Sequence, residues 1–273
     1  MNSESNSQLN PPQFSPKSGR ALLFGTTFLF INGFFVAKVP QATRPELAGV
    51  SAAFVLVLWF PGAFATLKWL GWKRAVMLLV GLGSFAVAIE TFALKTGLPY
   101  GNFSYGDKIG TKFFGLVPWT VPFSYPPLVL GAFALAARIA PKRQLFAPTL
   151  VLLLFDAVLD PGAVQQKFWT YEGGGLYYSV PFSNFCGWVV SGFIANWIFA
   201  SVSEHKSVPL PLISSVTLIL AFWTSVTLFT GLWLPALIGF ALLGWVWHQV
   251  RSSVQASVST EVLNSQSQTL EVL

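Results

Sequence analysis

Apolar residues along this chain come in long uninterrupted blocks, and polar residues are gathered into the gaps between them. Neither the alternation of a half-buried strand nor the single apolar stripe of a surface helix describes such blocks. A helix of roughly 20 apolar residues crosses a bilayer, and the pattern predicts spans near 21–37, 47–67, 74–94, 116–137, 145–164, 182–203, 208–230 and 232–250. Only Gly231 separates the last two, so the count is seven or eight. The expected fold class is all-α: a polytopic membrane helical bundle of about eight transmembrane helices with two aromatic, glycine-rich, re-entrant-like loops. Residues 1–20 and 251–273 are rich in Ser, Gln and Asn without apolar periodicity and are expected to be disordered polar tails on a single 21–250 transmembrane domain. The first block follows a long polar leader with no small-x-small cleavage site, which predicts a retained span and not a signal peptide.

Composition agrees. Hydrophobic residues make up 53% of the chain and charged ones 10%, against about 25% charged in soluble chains, and mean hydropathy is +0.61. With 26 Phe and 11 Trp, the chain cannot assemble a polar shell and must use lipid as solvent. That excludes soluble enzymes, nucleic-acid readers and disordered scaffolds, despite a net charge of +6. The basic excess is topological: Lys17, Arg20, Lys68, Lys73, Arg74, Arg138, Lys142, Arg143, Lys206 and Arg251 fall on the side of the termini, which are therefore expected to be cytoplasmic in a plasma or thylakoid-type membrane. Lys38, Arg44, Lys95, Lys108, Lys112 and Lys167 fall on the other side. Cys186 is the lone cysteine, and His205 and His248 stand in different segments, so neither a disulfide nor a Cys/His metal centre is expected. Chemistry must run on carboxylates, hydroxyls or aromatic rings.

Of the 10 acidic residues, only Glu90, Asp156 and Asp160 fall within predicted spans. A carboxylate at membrane depth costs at least about 2.5 kcal/mol unless protonated, paired or hydrated, which makes each one a functional-site candidate. Asp156 and Asp160, four apart in FDAVLDP, share a helix face one turn apart. Two acids that close in low dielectric cannot both ionise cheaply, so the pair should share a proton and act as a general acid. Pro161 should end or kink that helix just past the pair and free backbone carbonyls there. Spans three and five run in the same direction, which puts all three acids near one membrane face.

Two unusual loops follow those spans: Leu98–Asp107, LPYGNFSYGD, and Phe168–Tyr178, FWTYEGGGLYY. Each leads to the tetrapeptide VPFS, at Val121–Ser124 and Val180–Ser183, the second continuing NFCGW to Trp188. Acid, aromatic loop, VPFS and helix thus occur twice, as in a parallel internal repeat. An interfacial aromatic belt accounts for many of these rings, but not for the repeated Tyr-Gly at 100–101 and 105–106 or for Gly173–Gly175. Glycine there suits loops that fold back over a site. Buried carboxyls beside aromatic faces, with no phosphate loop or nucleophile–base pair, suit proton-initiated chemistry on an alkene, in which rings stabilise a carbocation by ~2 kcal/mol when desolvated.

The runs from Glu90 to Tyr105, Phe155 to Pro161 and Tyr177 to Trp188 resemble those of the integral-membrane carotenoid 1',2'-hydratase family, the type of cyanobacterial gamma-carotene 1'-hydroxylase and archaeal bisanhydrobacterioruberin hydratase. The likeness covers roughly residues 20–250. It implies a hydro-lyase of carotenoid biosynthesis on the myxol-type route, adding water across the C1',2' double bond of an acyclic, gamma-carotene-like end group to give a tertiary 1'-hydroxyl. It implies no cofactor and no metal, and its partners are a lipophilic carotenoid, water and the bilayer. Placement assigns the roles: Asp160, with Asp156, as proton donor to C2' and Glu90 as the group that orients or deprotonates the attacking water. Trp169, Tyr171, Tyr178 and Trp188 would shield the cation, and Tyr100, Tyr105 and Asn184 would hydrogen-bond the acids or water. A lycopene-cyclase-like or prenyl-transferring enzyme and a proton-coupled transporter remain alternatives; the Asp156/Asp160 spacing is also that of one magnesium-binding motif in prenyltransferases, and membrane carboxylates are common in transporters.

Overall fold

The computed structural model describes residues 13–39, 48–142, 145–204 and 206–271. Most of the expected N-terminal tail (1–12), the 40–47 connection with Arg44 and Glu46, and Arg143, His205 and residues 272–273 lie outside them. The fold is all-α. Seven helices follow one another: α1 (Pro16–Lys38), α2 (Ala48–Thr96), α3 (Val121–Ile139), α4 (Phe146–Gln165), α5 (Phe182–Ser203), α6 (Ser214–Phe229) and α7 (Trp233–Glu271). Four very short strands complete it: β1 (Phe103–Tyr105), β2 (Lys112–Phe113), β3 (Val117–Pro118) and β4 (Trp169–Tyr171). Among the described residues, six helices are long and apolar enough to cross a membrane: α1, α2, α4, α5, α6 with its leading turn, and α7. The 49-residue α2 is two helical arms meeting at Gly71, whose φ of 73° and ψ of 166° lie outside the helical region and suit a residue without Cβ.

α6 occupies the centre, touching α1, α2, α3, α4 and α7. Lipid tails are as apolar as Leu, so helices in a bilayer associate through close backbone approach and interhelical hydrogen bonds. α6 uses both: a Cβ on Gly33 of α1 would stand 2.5 Å from the Phe222 carbonyl oxygen, and Ser215 Oγ accepts the N–H of Gly62 from α2 at 2.7 Å. Many other large side chains, Phe24, Phe60, Phe182 and Trp197 among them, face outward, as they must where lipid is the solvent.

At three places the structure adds to the sequence reading. α1 begins at Pro16, inside the expected tail, with Ser15 Oγ accepting the Ser18 N–H at its start. α7 stays helical to Glu271, where composition predicts a disordered tail. The two segments hold each other: Phe14 is buried, its N–H donates to Ser253 Oγ at 2.9 Å, its carbonyl accepts from Ser257 Oγ at 3.1 Å, and Val254 lies against Gly19. Polar composition is blind to such a partner 239 residues away. Third, α4 does not end at Pro161 but continues to Gln165, while a backbone carbonyl is freed there as expected. Pro161 cannot donate to the carbonyl four residues back, and that carbonyl, of Ala157, instead accepts the Tyr177 hydroxyl at 3.0 Å.

Candidate active site

The two aromatic loops meet as strands. β1 and β4 pair antiparallel with Phe103 opposite Tyr171, Ser104 opposite Thr170 and Tyr105 opposite Trp169. Alternation sends Ser104 and Thr170 outward and turns the four rings inward. Backbone bonds extend the ribbon at both ends, from Gly106 N to the Phe168 carbonyl (2.8 Å) and from Glu172 N to the Asn102 carbonyl (2.9 Å). Lys108 and Lys112 donate to the carbonyls of Gln166 and Tyr105, pinning the loop that leads to α3. A salt bridge between Arg74 and Glu204 (2.6 Å) lies at the other end of the bundle, where α2 breaks and α5 ends.

Beneath the ribbon lies a cavity of about 450 Å³ reached by all three membrane acids, Glu90, Asp156 and Asp160. Asp156 and Asp160 are buried on one face of α4. The Asn184 side-chain amide donates to both, at 2.9 Å to Asp156 Oδ2 and 2.6 Å to Asp160 Oδ2. The Tyr171 hydroxyl lies 2.7 Å from Asp160 Oδ2 and 2.9 Å from Asn184 Oδ1. Trp169 stands beside Asp160 and Trp188 beside Asp156. Across the cavity, Glu90 on the second arm of α2 accepts the Tyr105 hydroxyl. Tyr105 and Tyr171 belong to the ribbon, outside the helical spans, and burial first, then the nearby carboxyls, hold both phenols well above their ordinary value of 10.0. They stay neutral donors across the physiological range.

Local sequence explains the arrangement. Asp156 and Asp160 project together because they are one helical turn apart. Asn184 reaches them because α5 starts within the second VPFS, at Phe182, as α3 starts within the first, at Val121. Tyr100 packs on Gly187 of α5, where a Cβ would stand 2.3 Å from its ring, and its carbonyl accepts from Ser183 Oγ. Glycine in NFCGW is thus the seat of the tyrosine in LPYG.

Of the residues singled out from sequence, Glu90, Asp156, Asp160, Tyr100, Tyr105, Trp169, Tyr171, Asn184 and Trp188 all line the one cavity. Tyr178 does not. It sits in a left-handed turn (φ 52°), about a third exposed, with its hydroxyl toward Leu234 N of α7. Gly173–Gly175 turn the chain so that Tyr177, not Tyr178, points to α4. Tyr100 lines the cavity without bonding an acid; it faces Ser191 and Tyr125. Sequence reasoning missed Tyr125, stacked on Trp188 with ring centroids 5.7 Å apart, although it stands one place after the first VPFS just as Asn184 follows the second. It also missed the apolar reach of the cavity toward Val36 of α1, Phe54 and Leu58 of the first arm of α2, and Phe222 and Trp223 of α6.

Comparison with known proteins bears on what this cavity serves. The chain is 35% identical over 188 residues to the bisanhydrobacterioruberin hydratase of Haloarcula japonica, a match covering 63% of this chain. The chain spans about 64% of that relative's length. No solved structure matches it. The sequence profile of the carotenoid biosynthesis protein family matches residues 48–246, which include both arms of α2, the ribbon and every acid of the cavity, and the chain belongs to that family.

Proposed function

We propose that this protein is a carotenoid 1',2'-hydratase, adding water to the terminal double bond of an acyclic, gamma-carotene-like end group to leave a tertiary 1'-hydroxyl. The observation that carries the reading is the closed polar cluster of Asp156, Asp160, Asn184 and Tyr171, opening onto a predominantly apolar cavity with Glu90 on its other side. The protein's Haloarcula japonica relative is a hydratase, which supports hydration as the reaction.

Hydrogen counting gives the cluster its role. A phenol has one proton, and Tyr171 has two acceptor oxygens in range. The Tyr171 hydroxyl and the Asn184 amide both donate to Asp160 Oδ2, so Oδ1 is the oxygen on which Asp160 would carry a proton. The proton shared by the pair then rests on Asp160, beside the cavity. Asp160 delivers it to C2': the π electrons form the new C–H bond, the carboxyl becomes carboxylate, and the positive charge falls on the tertiary C1', the more stable cation. The faces of Trp169, Trp188 and Tyr171 stabilise it. Water adds to C1' and gives its surplus proton to the Glu90 carboxylate, and solvent returns that proton to Asp160 before the next turnover. No redox step and no co-reactant other than water enters.

A cavity of about 450 Å³ is of the size that encloses a drug-sized molecule, smaller than a whole carotenoid. One end group therefore enters, and the polyene trails out past Val36, Phe54 and Leu58 between α1 and the first arm of α2 toward lipid. The two arms of α2 and α3 complete eight crossings, with both termini cytoplasmic and the ribbon folding back over the site from the opposite side. The test is expression in a host that accumulates gamma-carotene, with pigments analysed by mass. The expected product is substrate plus one water, absent with Asp160→Asn. An isomer of unchanged mass would favour a cyclase, and an unchanged pigment pattern a transporter.

A further inference from the structure

Asp156 bonds Asn184 through one oxygen only. Its other oxygen, Oδ1, is buried and has no hydrogen-bond partner among the described residues. The same holds for the hydroxyls of Tyr125 and Ser191. These residues are 0%, 5% and 0% exposed respectively, and they come from three different helices, α4, α3 and α5. Tyr125 interacts with Ser191 and lies within electrostatic reach of both Asp156 and Glu90. Tyr125 and Asp156 line the cavity together with Trp188, on which Tyr125 stacks and one turn from which Ser191 lies, and buried polar atoms of mixed donor and acceptor character short of partners are what an ordered buried water requires.

We propose that Tyr125, Ser191 and Asp156 Oδ1 form the seat of the water that adds to the substrate, with Tyr125 and Asp156 on the cavity wall and Ser191 behind it. The proposal rests on the hydratase reading and names the position of its nucleophile. Asp156 lies one helical turn, about 5.4 Å, deeper than Asp160, which leaves the two carbons of the double bond between proton donor above and oxygen below. Tyr125 also stands where the first half of the chain matches Asn184 of the second: the VPFS-Asn position serves the acid pair and the VPFS-Tyr position serves the water. Asp156 thereby has two tasks, sharing a proton with Asp160 through one oxygen and holding water with the other. Tyr125 and Ser191 are positioning residues, since they act on the water.

The test uses the full chain in membranes, with gamma-carotene as substrate in deuterated water, and compares Tyr125→Phe, Ser191→Ala and the double variant, each normalised to folded protein. Tyr125→Phe keeps the ring on Trp188 and Ser191→Ala removes one atom, so both retain the packing. The expected result is about a tenfold fall in hydrate for each, a larger fall for the pair, and the appearance of deuterium-labelled alkene, because the cation still forms and then loses a methyl proton. Unchanged hydrate in the double variant, or hydrate and label falling together, overturns the water seat. Failure of the underlying reading looks different: Asp160→Asn would then still give labelled or hydrated product.

Discussion

The cavity has two walls built to one plan and finished differently. On one, a helix acid, a ribbon tyrosine and a VPFS-started helix supply Glu90, Tyr105 and Tyr125; on the other they supply Asp160, Tyr171 and Asn184. Even the strands correspond, Phe-Ser-Tyr against Trp-Thr-Tyr, pairing about Ser104 and Thr170. The second wall adds one acid, Asp156, and an amide that bonds both carboxyls. That addition separates a lone carboxyl group from a hydrogen-bonded pair. The contrast teaches how one plan, used twice, can set a single carboxyl group against a carboxyl pair across one cavity.

The largest expected effect is therefore asymmetric. Asp160→Asn removes the transferable proton and should lower hydration by roughly 10²–10⁴-fold, the usual worth of a positioned general acid, and should abolish deuterium incorporation with it. Glu90→Gln should lower hydration toward the smaller end of that range while labelled alkene persists. Equal loss of both signals in both variants would erase the distinction between the walls.

A middle-sized effect concerns how the walls are joined. Gly187→Ala places a methyl 2.3 Å from the Tyr100 ring, and such overpacking costs about 1–3 kcal/mol. Thermal unfolding in detergent should show the loss, and hydration should fall as Tyr100 shifts. Wild-type behaviour would mean that Tyr100 does not depend on that seat.

The smallest effect is spectroscopic. Burial holds the ribbon phenols Tyr105 and Tyr171 well above the ordinary value of 10.0, so raising the pH past 10 should leave both unionised while the chain is folded. Since the folded state keeps their protons, the stability they confer is complete below pH 10 and declines only above it. Phenolate absorbance should accordingly report fewer than the 6 tyrosines of the chain until unfolding. Full ionisation of all six in the folded protein would place the ribbon in water.

Much of this was legible in the sequence because membranes make charge conspicuous. Apolar blocks reported the helices, and Glu90, Asp156 and Asp160 stood out as acids at membrane depth. The i, i+4 spacing put two of them on one face, and the repeated VPFS marked where α3 and α5 begin. What stayed hidden depends on contacts between distant segments. The docking of Phe14 on Ser253 that accompanies an extended α7 has no local signature. The Ala157 carbonyl that Pro161 frees is taken up by Tyr177, and α4 continues through Pro161 where propensity predicts an end or a kink. Tyr177 and Tyr178 are adjacent, and only backbone geometry after Gly173–Gly175 decides which faces α4. Tyr125 was visible in VPFSY, but its significance appears only when its buried hydroxyl is found beside Ser191.

The most direct measurement supplies gamma-carotene to membranes containing the full chain in water labelled with heavy oxygen and follows the pigments by mass. The account predicts a product carrying one labelled oxygen in a tertiary 1'-hydroxyl, formed by the wild type and lost with Asp160→Asn. A product without the label, or full conversion by Asp160→Asn, would contradict it.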